Sequence, residues 1–144
     1  MDDQDQLTGA CLCGAVRYTA APPILAARVC WCRVCQYLAC GSGATNIMVA
    51  RPELRVEGAV AEYRSVADSG NHMVRSFCPT CGTHLFSASE ERAHLVVIRV
   101  GTLDDPELGA PRDVIWTASA PSWACIDQAL TAHAGQPAPP VGKG

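Results

Sequence analysis

Val29-Cys30-Trp31-Cys32-Arg33-Val34-Cys35-Gln36 places three cysteines at C-x-C-x-x-C spacing, and two further pairs answer it, Cys11 with Cys13 and Cys78 with Cys81. Closely spaced thiolates are soft ligands suited to a tetrahedral zinc ion. These seven thiols divide naturally as four and three. A structural zinc takes four protein ligands, whereas a catalytic zinc keeps one position for water or substrate. The cluster of Cys30, Cys32 and Cys35 is therefore expected to be the open, working site.

In extended backbone, residues two apart share a face, so Cys30 and Cys32 can offer thiolates to one ion while a turn brings in Cys35. A thioredoxin-like redox pair is the rival reading of Cys32 and Cys35. It requires a surrounding βαβ pattern, which is lacking, and it leaves Cys30 unexplained. Trp31 is expected to point away from the metal and shield it. Arg33 is the arginine nearest in sequence to balance a thiolate-rich centre, and the alternative is that it faces solvent. Gln36 is read either as a group orienting a ligand or as an ordinary surface glutamine. Cys40, in the glycine-rich loop Ala39-Cys40-Gly41-Ser42-Gly43, is expected to be a neighbouring loop residue; the alternative is a fourth ligand that closes the site.

Cys78-Pro79-Thr80-Cys81-Gly82 is the most specific signal in the chain. Proline presets the turn between ligands, and glycine after the second cysteine permits positive φ, so that backbone N–H groups face the sulfurs. Such a knuckle supplies half of a tetrahedron, and Cys11 and Cys13 are the remaining pair. They are expected on a strand over Gly9–Thr19, with Gly14 turning the chain away. His84 is expected to be packed or partly exposed, since four thiolates already fill that site. His72, in the turn Asp68–His72, is expected to be exposed.

The rest reads as short strands. Thr45–Val49, Leu54–Glu57 and Glu62–Arg64 form a meander with one buried face, His94–Val100 is a buried strand, and Val114–Thr117 is the last one. Asp104 and Asp105, in the turn Thr102–Gly109, are expected to bond local backbone and not to act as acid and base. Trp123 is expected to anchor the core or cleft, and Cys125 to be a buried, unliganded thiol. The organisation is a frayed stretch over 1–6, one zinc-binding domain over 7–134 and a disordered proline- and glycine-rich tail over 135–144.

Composition narrows the partners. The 144 residues carry a net charge of −3 with no basic block, which speaks against nucleic acid and anionic lipid. Lys143 is the only lysine, so any fixed cationic site in the folded body must use arginine, the residue best shaped for carboxylates. The first residues lack the basic start and apolar run of a secretory signal, and the most apolar run, Leu95–Val100, is interrupted by Arg99. A soluble, cytoplasmic protein is expected, monomer or homodimer. In a reducing compartment nine cysteines argue for metal or redox chemistry over disulfides.

Together, Gly9-x-Cys11-x-Cys13-Gly14-x-Val16-Arg17-Tyr18, Cys30-x-Cys32-x-x-Cys35-Gln36, Phe77-Cys78-x-x-Cys81-Gly82-Thr83, Gly101-Thr102-Leu103-Asp104-Asp105-Pro106 and Ile115-Trp116 followed by Trp123 resemble the glutathione-dependent formaldehyde-activating enzyme family, also called the centromere protein V family. The resemblance runs from about Leu7 to about Leu130. It implies a mainly β fold, a β-tent of antiparallel sheets built around two zinc ions per chain. Cys11, Cys13, Cys78 and Cys81 match the structural zinc ligands, and Cys30, Cys32 and Cys35 match those of the second. It further implies carbon–sulfur lyase activity, the reversible joining of formaldehyde and glutathione to S-(hydroxymethyl)glutathione. A non-catalytic, zinc-stabilised binding module, as in the centromere protein branch, is the alternative. This chain departs from the pattern at Trp31, where many members have histidine, and at Cys40, in a loop that usually lacks cysteine.

Overall fold

A computed structural model describes residues 6–140. The stretch 1–6 expected to be frayed lies, apart from Gln6, outside the described residues, as does the end of the expected tail. The strands are β1 (Leu7–Ala10), β2 (Arg17–Ala20), β3 (Ala26–Cys30), β4 (Ala44–Ala50), β5 (Leu54–Glu57), β6 (Ala61–Val66), β7 (His72–Phe77), β8 (His84–Ser89), β9 (Leu95–Arg99), β10 (Asp113–Ile115) and β11 (Thr131–Ala132). Among the described residues one α-helix, α1 (Arg33–Leu38), and several short 3-10 turns interrupt them.

The architecture is mainly β, as expected. A three-stranded sheet in the order β1-β2-β5 leans on an eight-stranded sheet in the order β11-β10-β3-β4-β9-β8-β7-β6. Pairings are antiparallel except at one side, where β10 runs parallel to both β3 and β11. The core fills the angle between the sheets. Val16, Tyr18 and Ala20 from the small sheet and its loop pack with Ile47, Val49, Leu85, Phe86, Val96 and Ile98 from the large one. Tyr18 meets Phe86 edge-on at 5.1 Å, and its hydroxyl lies 2.7 Å from Thr102 Oγ1. Gly9 is required there: a Cβ would lie 2.3 Å from the Tyr18 ring.

Strand alternation gives the large sheet a second, more polar face. Along β4, Ile47 and Val49 are buried in the core, while Asn46 and Met48 point the other way. Cross-strand partners share a face, so the register Arg28–Asn46–Arg99 forms one row there. A neighbouring row runs Ala26–Met48–Val97–Ser87–Arg75. Cys30, two residues beyond Arg28 on β3, lies on this same face.

Several local expectations are corrected. Gly9–Thr19 is not one strand: Cys11 to Val16 form the loop between β1 and β2, closed by the Cys11 N–H to Val16 carbonyl bond of 3.0 Å, with Gly14 at φ +80°. The last expected strand stops at Ile115, because Trp116 turns to φ +59°. Trp123 does not anchor the core; it is 71% exposed, in a turn closed by the Ala124 N–H to Pro121 carbonyl bond that no strand carries onto the sheet. Cys125, two residues on, is exposed for the same reason. Asp105 accepts from the Glu107 N–H, local backbone as expected, whereas Asp104 accepts from the hydroxyl of Thr8 on β1, a side chain distant in sequence. Gly135 and Gln136, at the start of the expected tail, bond to Trp116: its N–H donates to the Gly135 carbonyl and its indole N–H to Gln136 Oε1. Among the described residues no helix is long and apolar enough to cross a membrane.

Candidate metal centres

The loop between β1 and β2 and the turn between β7 and β8 bring Cys11, Cys13, Cys78 and Cys81 together, all sulfurs within 4.8 Å of one another. Cys11 Sγ is 3.6 Å from Cys13 Sγ, which is 3.8 Å from Cys78 Sγ. A tetrahedral zinc with bonds of about 2.3 Å sets its sulfurs about 3.8 Å apart, so the donor set fits that ion. Backbone N–H groups turn toward the sulfurs: Val16 donates to Cys11 Sγ, and Thr80 and Cys81 donate to Cys78 Sγ, at 3.3, 3.4 and 3.5 Å. Gly82 sits at φ +79°, the left-handed backbone for which the glycine is needed. Thr83 braces both halves, accepting from the Leu12 N–H at 3.2 Å while its hydroxyl lies 3.2 Å from Cys81 Sγ. That hydroxyl is the main reason the Cys81 thiol is held down to about 5.

Cys30, Cys32 and Cys35 form the second cluster, three buried sulfurs within 4.8 Å of one another. Cys30 ends β3, and Cys32 caps the start of α1, its sulfur accepting from the Cys35 N–H at 3.4 Å. The helix thus replaces the simple turn expected, and one helical turn folds Cys35 back beside Cys32. Hydrogen bonds with Cys30 and Cys35 hold the Cys32 thiol down, while contacts with Cys32 and Cys35, and burial, push the Cys30 thiol up. Three buried thiols can ionise together only beside a cation, and the three soft donors fit a zinc with one further position. Cys40 is exposed, at φ +59°, and outside this group.

The neighbours of this centre differ from those the local sequence suggests. Gln36 is no surface glutamine: it is buried, and its amide donates to the Trp31 and Ser119 carbonyls at 2.8 and 3.0 Å. Arg33 bonds Gln36 Oε1 at 2.6 Å and lies over the Tyr37 ring, away from the thiols. Trp31 is buried as expected, with room made by Gly43, where a Cβ would lie 2.9 Å from the indole. Of the arginines facing the thiols, Arg28 shares β3 with Cys30, while Arg75 and Arg99 come from the distant strands β7 and β9. A cleft of about 130 Å³ on the polar face of the large sheet is lined by Cys30, Cys32 and Cys35 together with Arg28, Arg75, Arg92 and Arg99, and by Asp68 as its carboxylate. Arg75 is buried and donates to Ser65 Oγ at 2.6 Å; Arg99 donates to Asn46 Oδ1 at 2.8 Å. Strand alternation alone could have marked Arg28, two residues before Cys30, whereas only the sheet register brings Arg75 and Arg99 there. His84 lies beside Arg99 in a neighbouring hollow, partly buried as expected, its pKa lowered by burial and by Arg99 and Arg75.

A model of the glutathione-dependent formaldehyde-activating enzyme family matches residues 6–119, which include both cysteine clusters. The chain belongs to that family. Its members are enzymes of glutathione-dependent formaldehyde activation, and glutathione and formaldehyde are the substrates the family implies. The fold is shared with the crystal structure of a Rhodobacter sphaeroides protein at a TM-score of 0.57 and 25% identity, covering 72% of this chain and 96% of that one. No curated protein matches the chain.

Proposed function

We propose that the protein is a zinc-dependent carbon–sulfur lyase of the glutathione-dependent formaldehyde-activating type, joining or splitting a small thiol and an aldehyde at the three-cysteine centre. The observation that carries this reading is the contrast between the two clusters: one offers four thiols, a closed set, and the other offers three at the wall of a cleft. Cys11, Cys13, Cys78 and Cys81 hold the structural zinc in this reading, and Cys30, Cys32 and Cys35 the second. Zinc bound there would supply an open position and a positive charge that lowers the pKa of a substrate thiol.

The reaction balances without a protein nucleophile. The thiol sulfur forms a bond to the aldehyde carbon, the carbon–oxygen double bond becomes single, and the thiol proton ends on that oxygen. Cys32 is steadied by the Cys35 N–H, and Ile115 and Ala44 back the centre with buried apolar surface. Arg75 and Arg99 offer positive charge to the sulfur and to the developing alkoxide. The test is NMR exchange spectroscopy of formaldehyde mixed with thiols, glutathione among them. Exchange faster with protein than without supports the reading; exchange at the buffer rate for all thiols and aldehydes tried, together with a stable protein partner in pull-downs, favours the binding module.

A further inference from the structure

The polar face of the large sheet concentrates positive charge beyond what the thiol centre needs. Four arginines line the cleft against one carboxylate, Asp68. Three thiolates with a zinc ion leave a formal charge of about −1, so cysteines and Asp68 together leave the arginines in excess. Arg28 also feels Asp113, but that carboxylate is shared with His133 at 3.3 Å. Among the described residues the hydrogen-bond partners of Arg75 and Arg99 are the neutral Ser65 and Asn46, and the Arg99 charge opposes that of Arg75.

Guanidinium groups held this way have unused donors. The Nε groups of Arg28, Arg75 and Arg99 are buried and have no hydrogen-bond partner among the described residues. Arg75 is only 5% exposed. Leaving such a donor unpaired in a buried site is unfavourable, and carboxylate is the group whose two oxygens match the guanidinium fork. Arg28 stands two residues from Cys30 on one strand face, and both line the same cleft of about 130 Å³. A molecule meeting both within that space must be small, with its sulfur and its carboxylate separated by a few bonds.

We propose that Arg28, Arg75 and Arg99 form a carboxylate site beside the three-cysteine centre, and that the thiols taken there are short mercapto acids whose carboxylate lies two or three carbons from the sulfur. This rests on the proposed thiol chemistry of the same centre and names its substrate class. The carboxylate pairs with the arginine fork while the sulfur is directed at Cys30, Cys32 and Cys35. Bulk beyond the acid is limited by the small volume of the cleft.

Calorimetry on the zinc-loaded protein tests this without turnover, using 3-mercaptopropionate, the neutral 2-mercaptoethanol and glutathione. The mercapto acid is expected to bind about tenfold to a hundredfold more tightly than mercaptoethanol, the range of a charge-assisted hydrogen bond. Arg75→Met and Arg28→Gln should each erase most of that preference, while Arg64→Gln, on the exposed strand β6, should keep it. Equal affinity for acid and neutral thiol in wild type, a preference that survives both cleft variants, or glutathione binding more tightly than the short acid would overturn the proposal. If Arg75→Met does not fold, Arg28→Gln and the wild-type comparison still decide. Thiol exchange that fails while the acid preference holds overturns only the catalytic reading; exchange without acid preference overturns only this one.

Discussion

Gln36 shows how one buried polar side chain can organise a centre it does not ligate. Its amide closes the Trp31 carbonyl at the end of the ligand stretch and the Ser119 carbonyl from a distant loop, and its oxygen receives Arg33. Gln36→Ala leaves both carbonyls short of a buried donor, at a cost of about 1–3 kcal/mol. Urea denaturation of the zinc-loaded variant should show that loss as a lower midpoint with an unchanged slope. A midpoint equal to wild type would mean that water satisfies both carbonyls. Arg33, the partner of the same side chain, is expected to matter much less, because its contacts with Gln36 and Tyr37 lie outside the cleft.

Among the elements, the two cysteine clusters differ in what they join. Cys11 and Cys13 stand in the loop of the small sheet, while Cys78 and Cys81 stand in the turn between β7 and β8 of the large sheet, so a metal held there ties the two sheets together. Cys30, Cys32 and Cys35 span one strand end and one helical turn, a short loop with little closure entropy to recover. Cys78→Ser should therefore lower the melting temperature and soluble yield more than Cys30→Ser, since metal binding at the first site is folding free energy for two sheets. Equal losses in differential scanning fluorimetry would show that the closures are equivalent. A smaller tie joins the start of β7 to the turn after β8, where His72 Nδ1 lies 2.5 Å from Glu91 Oε1. The hydrogen bond from His72 holds the Glu91 carboxyl down to about 2, and that bond with the Glu91 charge raises the His72 pKa. The carboxylate contribution is complete above its ordinary value of 4.5 and is lost as pH falls toward 2. The histidine contribution is complete below its ordinary value of 6.5 and is lost as pH rises through the raised one. His72→Gln should then destabilise slightly at about pH 5.5 and hardly at all at about pH 9, a small effect because both groups are exposed. A difference that does not change with pH in paired thermal melts would contradict it.

For the whole molecule, the division of thiols sets a measurable stoichiometry. Two zinc ions per chain are expected by elemental analysis, with about 3.5 sulfurs per zinc at the zinc absorption edge, the mean of a four-cysteine and a three-cysteine set. Added thiol should raise that mean toward four. Cys40→Ala should leave the resting value unchanged, since Cys40 is exposed and outside both groups. A resting value of four that falls only in Cys40→Ala would establish a closed second site and remove the main physical argument for catalysis there.

The cysteine spacing by itself marked three local sets, because C-x-C, C-x-x-C and the knuckle at Cys78–Cys81 each bring their sulfurs together through a turn of a few residues, and the ligand count of a closed site then joined Cys11 and Cys13 to the knuckle. A continuous apolar, β-branched run likewise marked the buried strand that became β9, and short alternating stretches marked the mainly β character of the chain. The sequence also established that any cationic site must be built from arginine, though not which ones. Arg33 was nearest along the chain, yet Arg28 reaches the thiols through the alternation of its own strand, and Arg75 and Arg99 reach them because cross-strand register over β3, β4, β9, β8 and β7 sets neighbours that chain distance does not reveal. Trp123 and Cys125 mark the same limit: apolar residue type predicted burial, and the absence of a strand to carry them onto the sheet left them exposed. Short-range geometry was thus legible from residue type and spacing, whereas the wall of the cleft was decided by strand pairing, a long-range choice made only when the whole core closes.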